Sequence, residues 1–260
     1  MNKMLVCRFE DVLINSDGAI FNSTMIKIDE LRSNNNLFTI ATGRDLESVL
    51  YYNKSYPFID YIICCDGAYV LDVNKDKVIY KKNIGINVIK KIKNTFGNYS
   101  ICFYTLDGVY CLGTKFNDDD KLITDFDLFF LNNKSKIYKI RIWCQGKKEI
   151  NNIITKLNEL NLSIDYVSSS EKKSFIDIVS SGVNKLVGMK KICKINKLKL
   201  DKVVVVGRDK SDILMMKNVG YRVTLNNCLK DVKNISQSVF SSNDKKGLEE
   251  VMKEYFWNYI

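Results

Sequence analysis

Lys3-Met4-Leu5-Val6-Cys7-Arg8-Phe9-Glu10-Asp11-Val12-Leu13 decides how the rest of the chain is read. The apolar run Met4 to Cys7 predicts a buried strand. The change at Arg8 to mixed charged and apolar residues marks where it emerges at the C-terminal edge of a sheet, the place where open α/β sheets carry their chemistry. Ile14-Asn15-Ser16-Asp17-Gly18 then supplies a turn.

Outward from that strand the pattern alternates. Ser23 to Ser33 reads as a helix, Leu37 to Ala41 as a second buried strand and Leu46 to Tyr52 as a helix. Between the last two lies Thr42-Gly43-Arg44-Asp45. A small hydroxyl residue and a Gly between a parallel strand and a helix N-terminus can seat a phosphate, because backbone N–H groups and the helix dipole face the anion. Tyr61 to Cys65 is a third strand, ending at Asp66-Gly67-Ala68, and Tyr69 to Asp72 with Lys77 to Tyr80 read as a hairpin. Helices are then expected at Ile86 to Phe96, Asp118 to Phe129 and Lys147 to Leu160. Strands are expected at Ser100 to Tyr104, Val109 to Leu112, Tyr138 to Cys144 and Leu162 to Val167. Phe175 to Val179 reads as a return to the first sheet, and Lys185 as the start of a helix. Val203 to Val206 is entirely β-branched, as suits a parallel strand covered on both faces. Val219 to Thr224 reads as a further strand and Lys245 to Phe256 as a closing helix.

Composition narrows the class. With 260 residues, 46% hydrophobic and 27% charged, the chain can bury a full core. No apolar run reaches the roughly 18 residues of a membrane span, and Met1 to Cys7 is too short for a signal-peptide core, so a cytoplasmic location is expected. The eight cysteines include no Cys-x-x-Cys pair and fall mostly in strand-like runs, so they read as buried free thiols. The chain has no His, which leaves carboxylates, Lys and Arg for ionic chemistry. A net charge of +10 favours anionic partners. Its densest stretch, Lys190 to Lys202, lacks interleaved aromatics and reads as a solvated face, so nucleic acid is not the expected partner.

Taken with the residues above, the chain resembles the haloacid dehalogenase (HAD) phosphatases, in their Cof-type sugar-phosphatase branch. The resemblance implies an α/β fold: a doubly wound parallel-sheet core from residues 1–80 and 178–260, and an inserted α/β cap at 81–177. In that family the first strand ends in Asp-x-Asp-Gly-Thr, the first Asp being the nucleophile and the second the general acid/base. Arg8 and Glu10 stand there instead. Ala41-Thr42-Gly43-Arg44 matches the second motif, and Lys185 the third, whose Lys neutralises nucleophile and phosphate. The fourth, Gly-Asp-x-x-Asn-Asp, holds Mg²⁺ in active relatives; here it reads Gly207-Arg208-Asp209-Lys210-Ser211-Asp212. Asn227 stands where the family loop meets substrate.

The four degenerate positions Arg8, Glu10, Arg208 and Asp212 sum to zero charge, which implies no intact catalytic set, no metal site and a lost Mg²⁺ cofactor. Asp11 and Asp209 are not expected to take over, since a one-residue shift turns a strand side chain to the other face. Two readings of the site follow. In one, Thr42, Gly43, Lys185, Arg8 and Arg208 bind the phosphate of a small phosphorylated metabolite in the core and cap cleft without metal. In the other, Arg8 and Arg208 pair with Glu10 and Asp212 in a self-neutralised pocket. The first is preferred because Lys185 would otherwise lack a partner. A pseudophosphatase is the expected function, with a phosphohydrolase acting through atypical residues, or a scaffold with a basic docking surface, as alternatives.

Overall fold

A computed structural model describes residues 2–54, 56–169 and 174–257. The strands are β1 (Met4–Arg8), β2 (Leu37–Ala41), β3 (Tyr61–Cys64), β4 (Tyr69–Asp72), β5 (Lys77–Lys81), β6 (Ile101–Tyr104), β7 (Val109–Leu112), β8 (Lys121–Leu122), β9 (Lys139–Cys144), β10 (Ile164–Ser169), β11 (Ser174–Ser180), β12 (Val203–Gly207), β13 (Tyr221–Leu225) and β14 (Ser238–Phe240). They form an eight-stranded sheet ordered β14-β13-β12-β1-β2-β3-β4-β5 and a six-stranded sheet ordered β10-β11-β9-β6-β7-β8. Each sheet lies in its own compact unit. The first comprises the chain up to Gly43, Tyr51–Tyr80 and the chain from Asn184 onward; the second comprises Arg44–Leu50 and Lys81–Val183.

In the first unit β1 runs parallel to both β12 and β2, with Cys7 opposite Val206 and Arg8 opposite Ala41. Val203 to Val206 are fully buried, and each such side chain contributes about 1.5–3 kcal/mol of hydrophobic stabilisation. One face of the sheet, carrying Met4, Val6, Ile63, Val203 and Val205, packs on Leu186, Met189, Ile192, Met215 and Val232 from later helices. The helices Asn22–Ser33 and Gly247–Met252 pack on each other and on β2 and β13. The expected doubly wound α/β core is what forms. Because β1, β2, β3 and β12 are parallel neighbours, their C-terminal ends bring Arg8, Thr42, Asp66 and Arg208 to one edge.

In the second unit, Ile101, Phe103, Ile140, Ile142, Ile176 and Ile178 pack beneath the helices Ile86–Phe96 and Gly146–Glu159. Two expectations are corrected here. Phe175 to Val179 does not return to the first sheet: β11 pairs antiparallel with β9 and β10, and the chain re-enters the first unit only at Asn184. Asp118 to Phe129 is not one helix. Asp120 turns back to accept the Phe116 and Asn117 N–H groups at 3.0 and 2.9 Å, β8 follows, and the helix runs from Phe126 to Asn133. Its start is fixed by Asp125, which caps the Asp127 and Leu128 N–H groups. The reading of all cysteines as thiols is corrected as well. Antiparallel register sets Cys102 opposite Cys111 with Cα atoms 4.1 Å apart, and the two form a disulfide. No helix among the described residues is long and apolar enough to cross a membrane.

Candidate active site

The edge above β1 is a network of ion pairs centred on Asp212. This carboxylate is completely buried. It accepts the backbone N–H groups of Arg208 and Asp209 at 2.9 and 3.2 Å, the Lys185 ammonium at 2.7 Å and the Arg8 guanidinium at 3.3 Å. Burial pushes its pKa up, but Lys185, Arg8 and these hydrogen bonds outweigh it and hold the group down at about 2. Lys185 is the first residue of the helix Lys185–Ile195, whose N-terminus is capped by Asn184. Burial disfavours the ammonium charge, but Asp212 and, more weakly, Asp66 at 3.7 Å raise its pKa above the ordinary lysine value. Asp66 is aimed there by a turn that needs Gly67: at φ +103°, a Cβ on Gly67 would lie 2.2 Å from the Asn184 carbonyl oxygen.

Arg8 leaves the end of β1 and reaches across to β12. Its Nη1 lies 2.8 Å from Asp209 Oδ2 and 3.3 Å from Asp212 Oδ2, and its Nε lies 3.9 Å from Glu10. Burial opposes its charge, and the four carboxylates Asp212, Asp209, Glu10 and Asp66 more than compensate, so the guanidinium stays charged. Glu10 in turn accepts the Thr42 hydroxyl at 2.9 Å. Arg208 pairs through its Nε with Asp11 at 3.3 Å, the Arg208 side chain being 18% and the Asp11 side chain 44% exposed. Asn227 donates to the Asp11 carbonyl and to Asn243 at 2.8 and 2.9 Å, which ties the loop after β13 to the turn after β1.

The structure thus brings Arg8, Glu10, Thr42, Lys185, Arg208 and Asp212 to one edge, with partners that differ from those the sequence suggests. Lys185 is not left unpaired, so the reason for preferring the anion-binding reading does not hold. Arg208 meets Asp212 only through its backbone N–H. Sequence reasoning missed Asp209, which it set aside on strand alternation. Yet β12 ends at Gly207, and Asp209 is the N-cap of the turn Lys210–Asp212, bonded to the Ser211 N–H, so alternation no longer governs where it points. The signal for it was an Asp two residues before a Ser, a capping pattern. Asp11 adopts φ 56°, the left-handed turn position that a Gly would fill. Arg8, Lys185 and Arg208 therefore share this edge with the carboxylates of Glu10, Asp11, Asp66, Asp209 and Asp212.

The family described as haloacid dehalogenase-like hydrolase matches residues 7–252. Among curated proteins, the 5-amino-6-(5-phospho-D-ribitylamino)uracil phosphatase YitU of Bacillus subtilis is 23% identical over 97% of this chain and 97% of its own length. The stress response protein YhaX of the same organism is 23% identical, covering 98% of this chain and 93% of its own. Among solved structures, a haloacid dehalogenase-like hydrolase from B. subtilis superposes with a TM-score of 0.86 at 18% identity, over 96% of this chain and 99% of its own. The HAD subclass IIB sugar phosphatase BT4131 superposes with a TM-score of 0.79 at 18% identity, over 97% and 98% of the two chains.

Proposed function

Since the chain belongs to the haloacid dehalogenase-like hydrolases, we propose that it is a pseudophosphatase whose former reaction centre is satisfied by its own ion pairs. It runs no aspartyl-phosphate chemistry, and it meets a small phosphorylated ligand only at the rim, through Arg208. The observation that carries this reading is the Arg8 guanidinium, which stands at the nucleophile position and lies 2.8 Å from Asp209. A guanidinium held in its charged form has no lone pair with which to attack phosphorus.

The donor set does not fit Mg²⁺. That ion demands oxygen ligands in near-octahedral array, whereas Asp212 gives its two oxygens to Lys185 and Arg8, and Asp209 gives one to Arg8. Arg8 itself fills the space between the carboxylates as a fixed cation. A phosphate group is also poorly received inside: Thr42 donates to Glu10, Lys185 is committed to Asp212, and a dianion would lie beside the Glu10 and Asp212 carboxylates. Thr42, Gly43 and Lys185 then serve the architecture of the edge. The Arg208–Asp11 pair is the exception, because Asp11 is 44% exposed and Arg208 18%, so an anion arriving from solvent can compete with Asp11 for the guanidinium.

The relatives favour a second reading, a working phosphohydrolase that uses atypical residues. Its best candidate groups are Glu10 and Asp209, whose side chains keep 23% and 28% exposure on either side of Arg8. Thermal unfolding in EDTA, in millimolar Mg²⁺ and in phosphate separates the two. The pseudophosphatase shows no Mg²⁺ effect and a small phosphate effect; stabilisation by Mg²⁺ would support the phosphohydrolase.

A further inference from the structure

The face of the six-stranded sheet turned away from its helices holds a cluster that the proposed function does not use. Cys102 on β6 and Cys111 on β7 stand directly opposite one another, nine positions apart in sequence. Nine positions further on, the Asp120 carboxylate lies 3.8 Å from the Cys111 sulfur. All three side chains are buried, and one ligand atom from each lies within 4.8 Å of the others. The carboxylate is held in place by the N–H groups of Phe116 and Asn117 and by the Asn117 side-chain amide at 3.3 Å. Such outer donors orient a metal ligand before the metal arrives.

We propose that the reduced chain binds a thiophilic divalent cation of the zinc class through Cys102, Cys111 and Asp120, and that the disulfide is the metal-free, oxidised state of the same site. Two thiolates and one carboxylate are a donor set that suits such an ion, with a fourth position left for water. The local charge is also favourable. The ion with two thiolates and a carboxylate carries one net negative charge. Beside it, Arg141 is the cross-strand neighbour of Cys102, and Arg141 and Lys139 bind the Asp177 carboxylate at 2.6 and 3.2 Å, so cationic side chains stand next to the site. A dithiol reductant such as dithiothreitol delivers two electrons and two protons to the Cys102–Cys111 bond and becomes a cyclic disulfide. The two thiols formed lose their protons as the metal binds.

Cobalt(II) serves as the probe, because thiolate ligation gives it a charge-transfer band in the near ultraviolet. The full chain reduced with dithiothreitol, then desalted without air, should bind about one Co²⁺ with that band; the oxidised chain should bind none. Cys102→Ser should abolish the band, Cys144→Ser should leave it, and Asp120→Asn should weaken binding roughly tenfold or more. A second measurement needs no variant. Zn²⁺ bound to the reduced native chain should slow re-formation of the Cys102–Cys111 disulfide by oxidised glutathione, read by peptide mass mapping. A reduced chain without the band, a band that survives Cys102→Ser, or a disulfide that closes equally fast with Zn²⁺ present would each overturn the site.

Discussion

The Lys185 ammonium lies 2.7 Å from the Asp212 carboxylate, with side-chain exposures of 1% and 0%. In active relatives the resemblance gives this Lys the task of neutralising nucleophile and phosphate; here its charge is consumed by a neighbouring side chain. A buried pair of this kind is costly to break, because removing one partner leaves the other charged and out of water.

Lys185→Met should therefore destabilise the chain by about 3–5 kcal/mol, measured by urea unfolding at neutral pH. Asp212→Asn in the same background should recover part of that loss, since it removes the stranded charge. A loss in the double variant equal to the sum of the losses in Lys185→Met and Asp212→Asn would mean that the pair is not coupled.

The depressed pKa of Asp212 fixes a pH window. A carboxyl near 3.8 when unfolded and about 2 when folded contributes stability that is fully present above pH ~4 and is lost as pH falls toward 2. Its size is about 2 kcal/mol, from 1.36 kcal/mol per pKa unit. Unfolding curves between pH 5 and 2 should show Asp212→Asn losing less stability over this range than the parent does. Parallel curves would contradict the assignment.

Arg8 takes the place that a divalent cation would need among Glu10, Asp209 and Asp212, while Arg208 points away to Asp11. Arg8→Ala should accordingly lose stability in EDTA through carboxylate repulsion and regain part of it in millimolar Mg²⁺, whereas the parent responds to neither. Calorimetry with and without Mg²⁺ reads both outcomes. An Arg8→Ala variant blind to Mg²⁺ would show that these carboxylates do not converge on one point.

Phosphate should raise the melting temperature of the parent by a small amount that fades with added salt, because the anion competes with the part-exposed Asp11 for Arg208. Arg208→Ala should remove the rise, and Asp11→Asn, which frees Arg208, should enlarge it. Matched chloride controls fix the baseline.

Much of this was legible in the sequence, and the failures share physical causes. The run Val203 to Val206 and the strand Leu37–Ala41 announce themselves because strands covered on both faces are apolar throughout. Phe175 to Val179 carries a similar signal and joins the other sheet, since apolarity reports burial and not which partner strand supplies it. Three acids in a row before an apolar run at Asp118 resembled a helix start. In the structure Asp120 instead closes a loop by accepting backbone N–H groups, and Asp125 takes the capping role. At the site, Arg8, Lys185 and Asp212 were singled out by the resemblance to the family's motifs. Their partners were not, because Asp11, Asp66 and Asp209 sit in turns whose φ angles and caps, and not strand alternation, decide where the side chains go.

The most direct test is hydrolysis of p-nitrophenyl phosphate in millimolar Mg²⁺, run side by side on the parent, Glu10→Gln and Asp209→Asn. Because the resemblance puts Arg8 where the family has its nucleophile, and Asp209 and Asp212 pair with Arg8, all three should release nitrophenolate at the rate of buffer alone. Mg²⁺-dependent turnover by the parent that disappears in Glu10→Gln or Asp209→Asn would contradict the pseudophosphatase, because it would place a working carboxylate beside Arg8.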